Sequence, residues 1–595
     1  MQTETKICQN CKNEFIIEPE DFVFYEKIYV PSPTWCPACR FQRRMIWRNE
    51  KIFFKRKCDA TGKEVFSMFP SAAPVKVYDR DYWWSDEWDA VEYGRAYDFT
   101  RPFFEQLKEL IQSVPWPSKS FLYNVKSDYC MNCSGLKNCY FLFDADYSED
   151  SSYGVAIKQS KTCFDNFLID ACELCYDCFF CTRCYKTLYS ENCEDCQDTF
   201  FSRDCINCMQ CFGCVGLRNK SYCIFNTQYS KEEYFEKLKE FSPGSYASVI
   251  ENKKKAHDFF LKFPVKYMHG SNNINVSGDY IYHCKNVHDS YMVRESEDSR
   301  YCYTLKLSPG ARNCYDYDLF AWNAERIYEC NNVGYNAANI LFSALVYLNV
   351  SDIEYSLSCN SANNLFGCVG MQKKQYCILN KQYTKEEYVR FLPQIKEHMN
   401  ALPYRDAQGR EYPYGEFIPA ELCPYAYNES LVQEYMPLSR AQAKKNGFLW
   451  RAPVLKEYAT TMSWKNLPDH SNDVPGAITK ETILCQEWDE NSERAQEHNC
   501  TKAFRITEAE LEFYRKMLLP LPRKCFYCRH YARTQERTPV LKKYRRGCAC
   551  GSTAYKNIVA HVHGARPCQN EFETSYALDR PEIVYCETCY QAEIL

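Results

Sequence analysis

No run of eighteen or more apolar residues occurs in this chain, so a membrane-spanning helix is not expected. The opening Met1-Gln-Thr-Glu-Thr-Lys-Ile-Cys8 lacks the apolar stretch of a secretion signal, which points to a cytoplasmic protein with mostly reduced cysteines. Gly-rich phosphate loops, a dinucleotide fingerprint, a nucleophile elbow and a His-Glu-x-x-His motif are missing, and the 10 histidines are scattered. Charge is nearly balanced; a net of -4 assigns no partner by itself. Glycine is sparse at 20, while cysteine reaches 38 and tyrosine 48 in 595 residues. Paired Cys-x-x-Cys in a reduced chain points to metal or redox chemistry ahead of disulfides. The length calls for several domains or a repeat array.

The two ends match. Cys11, Phe15, Phe24-Tyr25, Pro31, Pro33, Cys36, Cys39 and Arg40 recur 489 residues later as Cys500, Phe504, Phe513-Tyr514, Pro520, Pro522, Cys525, Cys528 and Arg529. Such a register marks a duplication. Cys8-x-x-Cys11 and Cys36-x-x-Cys39 suit tetrahedral zinc, each pair giving two thiolates. In the C-terminal copy Glu497 stands at the cognate of Cys8; Cys485, across an inserted loop, is the expected replacement, with His498 the alternative. Each module has a second half. In the C-terminal copy Cys568, Cys586 and Cys589 are completed by Cys548 or Cys550, whereas His561 and His563 read as loop or spare ligands. In the N-terminal copy Cys58 remains, but Thr61, Asp79 and Tyr82 replace the other ligands, so this half reads as a metal-free relic with Trp83, Trp84 and Trp88 rebuilding its core. About three zinc ions per chain follow.

Between the halves lie basic segments. Eight basic residues against Glu50 fall between Cys36 and Cys58, and nine against Glu536 between Arg523 and Arg546. Phosphate is their natural counterpart, so Arg40, Arg43, Arg44, Arg48, Arg529, Arg533 and Arg537 are expected to bind RNA or a ribonucleoprotein. Interleaved aromatics (Phe41, Trp47, Phe53, Phe54) favour RNA. A solvated face or an acidic protein partner is the competing reading.

The middle repeats too. Phe212-Gly-Cys214 through Lys-Glu-Glu-Tyr234 recurs at an offset of 154 as Phe366-Gly-Cys368 through Lys-Glu-Glu-Tyr388. Ser230-x-x-Glu233 and Thr384-x-x-Glu387 are capping boxes that start helices. Cys163, Cys184 and Cys205 share one phase of a 21-residue period, Cys172, Cys193 and Cys214 a second, and Cys175 and Cys196 a third, so one coil of a β-solenoid is expected per 21 residues. Stacked interior residues are the leading use for these thiols. Cys172, Cys175, Cys178, Cys181 and Cys184, spaced by three, leave further zinc or an iron–sulfur cluster as alternatives, although the Cys-Pro of ferredoxins is absent.

These features give a mainly β fold with α: N- and C-terminal zinc-ribbon modules flanking a duplicated Cys-rich β-solenoid with capping helices. The expected order is a module over residues 1–90, a helical connector over 91–120, a solenoid over 121–229, and a capping helix with linker over 230–264. A second solenoid spans 265–383, a capping helix 384–400, an irregular Pro-rich connector 401–484, and the last module 485–595. Cys8-x-x-Cys11, Phe24-Tyr25, Cys36-Pro-x-Cys39-Arg40, Trp83-Trp84-Ser-Asp86 and Tyr229-Ser-Lys-Glu-Glu-Tyr, with the Cys repeats, resemble an uncharacterised family of large Cys-rich zinc-ribbon proteins of candidate-phyla bacteria. The resemblance implies no particular activity; the CaiB/BaiF CoA-transferase label on some members has no counterpart in these residues. The reading is a non-enzymatic zinc scaffold that binds RNA or a ribonucleoprotein. A metal-handling or thiol-redox protein and a protein-interaction platform are the alternatives.

Overall fold

A computed structural model describes residues 2–305, 310–320, 322–452, 459–540, 542–564, 566 and 568–594. The fold mixes β and α structure, and none of the described helices is long and apolar enough to cross a membrane.

The first array runs by threes. From Tyr123 to Phe225 every third residue has a positive φ, nearly always without glycine, as at Asn132, Asn138, Asp144 and Asp150. Each such residue turns a corner, and Asn and Asp tolerate it best. Parallel bridges then join residues twelve apart, as in Val125↔Lys137↔Glu149↔Lys161↔Glu173. Four three-residue sides therefore make one rung. The Val125 N–H donates to the Leu136 carbonyl at 2.8 Å, and the Asn138 N–H returns to the Val125 carbonyl at 3.0 Å. The expected 21-residue coil is corrected to 12. Twenty-one is a multiple of three, so cysteines of the one interior face recur at that spacing without marking a rung.

The third residue of each side points inward, and Cys130, Cys133, Cys139, Cys163, Cys172, Cys175, Cys178, Cys181 and Cys184 all occupy this position in one buried core. Several interior backbone N–H groups are met by a side chain one rung earlier. Ser151 Oγ accepts from the Cys163 N–H at 3.0 Å, Ser160 Oγ from Cys172 at 3.2 Å, Asn166 Oδ1 from Cys178 at 2.9 Å and Cys172 Sγ from Cys184 at 3.4 Å. Each thiol in turn donates to nearby carbonyls, as Cys172 does to Asp170 (3.4 Å) and Cys181 (3.5 Å). Where the next rung's N–H needs an acceptor, a small side chain that both accepts and donates fills this position; elsewhere Leu136, Leu142, Ala145, Ile157 and Ile169 occupy it.

In the second array the spacing varies from eleven residues, as in Ile274↔Lys285, to fifteen. Ile327, Ile340 and Ile353 pair in register thirteen apart, and Ser296 pairs with Ala311 fifteen apart. Aliphatic residues replace many thiols in its core, and the uneven rungs explain why the sequence period is blurred. Both arrays end alike. Asn226 and Asn380 bond both ways to the backbone of Val215 and Val369, an antiparallel hairpin covers the last strand, and a helix follows. Ser230 and Thr384 are N-caps with both capping-box bonds made, over helices Lys231–Leu238 and Lys385–Ala401.

The end modules cross over the arrays. The N-terminal module's second half pairs in parallel with Trp116–Pro117, which enters the first array, while its helix Pro37–Met45 lies on strands Ala311–Asp318 and Ala324–Gly334 of the second. In the C-terminal module Ile583–Tyr585 pairs with Pro264–Lys266, which enters the second array, while helix Phe526–Glu536 meets Asp165 and Asp177 of the first. Residues 401–484, of which 453–458 lie outside the described residues, carry only short elements, among them the helices Val432–Tyr435 and Arg440–Lys445 and the strand pair Tyr404–Arg405 with Glu411–Tyr412. They are also packed: Glu416 and Glu434 reach one module helix each, and the Cys423 thiol donates to the Ile46 carbonyl at 3.3 Å.

Candidate metal centres

Each Cys knuckle is built from a short hairpin and a helix start. Glu4–Ile7 pairs with Glu14–Ile17, the turn between them carries Cys8 and Cys11, and Cys36 and Cys39 open the helix Pro37–Met45. The Cys36 N–H donates to Cys8 Sγ at 3.2 Å. The same bond recurs from Cys525 to Cys485 (3.3 Å), from Cys586 to Cys548 (3.2 Å) and from Asp79 to Cys58 (3.1 Å). Four half-modules therefore share one local architecture, and this bond fixes which cysteine stands first in each.

Cys485 takes the place of Cys8. Its N–H bonds the Lys502 carbonyl as that of Cys8 bonds Asn13, again 489 residues away. His498 instead places Nε2 at 3.3 Å from Cys528 Sγ, beside the thiol set rather than in it. Cys548 holds the first position in the last half-module.

The donor atoms gather into groups that could hold a metal: Cys8, Cys11, Cys36 and Cys39; Cys485, Cys500, Cys525 and Cys528; and Cys548, Cys568, Cys586 and Cys589. A further group joins Cys550 and His563 to Cys568 and Cys589. Sulfur separations are 3.8 Å for Cys11–Cys36, 3.7 Å for Cys485–Cys528 and Cys500–Cys525, and 4.0 Å for Cys568–Cys586. A tetrahedron with metal–sulfur bonds of about 2.3 Å has edges of roughly 3.8 Å. Within the first set Cys8 is held far below the usual thiol range by the thiols of Cys36 and Cys39. In the second, Cys525 is held low against its burial by Cys485, Cys500 and Cys528.

The relic half keeps the frame without the ligands. Cys58 Sγ accepts from the Thr61 and Asp79 N–H groups, and no further thiol joins it among the described residues. Trp83 is buried there and donates Nε1–H to the Pro115 carbonyl at 2.9 Å. No array thiol joins a metal-holding group among the described residues. Burial pushes Cys130 up to about 12 and Cys139 to about 11.

The arginines need the largest correction. Arg40, Arg43, Arg44 and Arg48 do not line an open face; each is at most 2% exposed. Arg44 bonds Asp318 at 2.6 Å and Asp316 at 3.0 Å; Arg43 bonds Glu329 and Glu416, both at 2.6 Å; Arg40 bonds Asp316 at 2.8 Å. Arg48 meets Glu50 and Asp144. In the other module Arg529 bonds Asp165 at 2.8 Å, Arg533 bonds Asp177 at 2.9 Å, and buried Arg537 lies over the Tyr435 ring at 4.2 Å. Burial would raise the Glu329 carboxyl, yet Arg43, Arg44 and Arg40 hold it below its ordinary range. The four guanidinium groups of the N-terminal helix are thus closed to phosphate, whereas Arg529 and Arg533 border an open cavity with their charges already paired to Asp165 and Asp177. Two local basic counts could not reveal acids some 270 to 370 residues away in sequence.

No protein family and no curated protein matches this chain. Among solved structures it is similar to a crystal structure described as a "putative acetyltransferase from Desulfovibrio desulfuricans G20". The identity is 9%, the match covers 49% of this chain and 86% of that one, and the TM-score is 0.11, too low to carry an argument.

Proposed function

We propose that this chain is a non-enzymatic zinc scaffold, a duplicated β-solenoid body clamped by two zinc-ribbon modules and serving as a protein-interaction platform. The observation that carries the reading is the fate of the two basic helices. Each leaves a thiol set and spends its arginines on carboxylates of an array. Metal, helix and array are thereby one mechanical unit. Zinc suits sets composed of cysteine at tetrahedral spacing, which leave no open coordination position for substrate. The body's outer rungs offer an extended polar face. Asn323 and Asn336 stack at 3.1 Å, Asn336 and Asn349 at 2.8 Å, and Trp322 lies stacked on Tyr335 beside them. Solenoid proteins bind partners through such periodic surfaces.

RNA or ribonucleoprotein binding through the seven arginines is the competing proposal. It requires guanidinium groups that can release counterions on meeting phosphate, and their burial weighs against it. Filter binding of full-length protein to structured RNA and ribosomal particles, at low and high salt, decides between them. The scaffold reading expects no salt-sensitive retention. Steeply salt-dependent binding abolished by Arg43→Glu without loss of fold would sink it. A thiol-redox role meets a similar obstacle, because the thiolate is the reactive species and burial favours the protonated form of thiols such as Cys130 and Cys133.

A further inference from the structure

The C-terminal knuckles differ from their N-terminal counterparts by insertions. Two residues separate Cys8 from Cys11 and Cys58 from Thr61, whereas long loops separate Cys485 from Cys500 and Cys548 from Cys568. The first loop brings only His498 beside a thiol. The second brings Cys550, which is 3% exposed, and His563.

Around Cys568 and Cys589 the donors divide in two. On one side stand Cys548 and Cys586; on the other, Cys550 Sγ and His563 Nε2 approach each other at 3.4 Å, and His563 Nε2 reaches Cys589 Sγ at 3.5 Å. Each side with the shared pair makes four donors all within 4.8 Å of one another, and the shared sulfurs are 3.8 Å apart. Two tetrahedra thus meet along one edge. His563 is oriented for the task. Its Nδ1 lies 2.6 Å from the Arg566 carbonyl, which can only accept, so Nδ1 carries the proton and Nε2 presents its lone pair to the thiols.

We infer that this half-module holds two metal ions, bridged by the Cys568 and Cys589 thiolates, with Cys548 and Cys586 completing one ion and Cys550 and His563 the other. Charge favours the pair: five thiolates around a single dication leave a large buried negative charge, which a second dication reduces to one unit. The inference rests on the zinc reading above and adds a fourth ion to its three.

The test is native mass spectrometry of full-length protein loaded with zinc under reducing conditions, with cadmium-113 NMR of the cadmium-substituted form. Four zinc ions are expected in the unmodified chain and three in the Cys550→Ser/His563→Ala variant. Two cadmium resonances should show coupling through shared sulfur, a readout that needs no variant. Three zinc ions in both proteins, or four in both, would overturn the dinuclear site while leaving the zinc scaffold standing. Absence of bound zinc from every set would instead overturn the reading on which it rests.

Discussion

An interior residue of the first array has a backbone N–H that the ladder does not reach, and this need explains the array's cysteines better than metal does. Ser160 supplies the acceptor for Cys172, and Cys172 supplies it for Cys184. At positions that accept from the next rung, serine and cysteine are therefore interchangeable, whereas alanine is not. Ser160→Ala should cost about 1–3 kcal/mol by leaving a buried donor unmet, while Cys172→Ser should cost under about 1 kcal/mol. Urea denaturation with metal content monitored checks both. A larger loss for Cys172→Ser, accompanied by metal release, would show that the array thiols are ligands. Arg44 makes the opposite point about charge. Arg44→Met leaves Asp316 and Asp318 short of a buried counter-ion and should cost roughly 3–5 kcal/mol in the same assay. A loss below about 1 kcal/mol would mean that the carboxylates find other partners. The thiol groups were legible in sequence because a knuckle is local and its duplicate shares one register. The arginines' partners were not, since Asp316, Asp318 and Glu329 lie far along the chain and only the fold places them.

Among elements, the module helix is where a thiol set that could hold a metal joins the tertiary structure. Cys36→Ser and Cys525→Ser should each release one ion and free the helix that follows, whereas Cys58→Ser, with no set around it, should leave metal content unchanged. Elemental analysis of the three variants checks this; equal loss from Cys58→Ser would mean that the relic half binds metal after all. The joint between the last module and the second array carries a pH-dependent contact. His269 Nδ1 lies 2.9 Å from Asp279, which also accepts from Thr538 Oγ1 and Ser575 Oγ. Burial opposes charge on His269, but Asp279 wins and its pKa is raised above the ordinary value. A raised folded pKa gives stability that is complete below about 6.5 and is lost as pH climbs through the folded value. Stability should therefore fall from neutral to mildly alkaline pH more in the unmodified protein than in His269→Gln, measured by thermal melts across that range. Parallel slopes would rule the contact out as a titrating one. Of the elements, the capping helices at Ser230 and Thr384 were legible because their signals span four residues. The rung length was not: the three-residue face repeat shows in Cys172 to Cys184, but only strand pairing distinguishes twelve residues from twenty-one.

At the scale of the molecule, two duplications are laid across each other. The N-terminal module enters beside the first array and rests its helix on the second; the C-terminal module does the reverse. Removing metal should therefore loosen the body at the two module helices and then at the rungs beneath them, and leave rungs remote from the helices intact. Hydrogen exchange of full-length protein before and after metal removal, under reducing conditions, tests this claim most directly. Protection should fall first in Pro37–Met45 and Phe526–Glu536, and then in the strands Ala311–Asp318 and Ala324–Gly334 beneath the first helix. Strands Gln197–Phe200 and Met209–Phe212, near the helix-covered end of the first array, should stay protected. Undiminished protection of both module helices in metal-free protein would contradict the account.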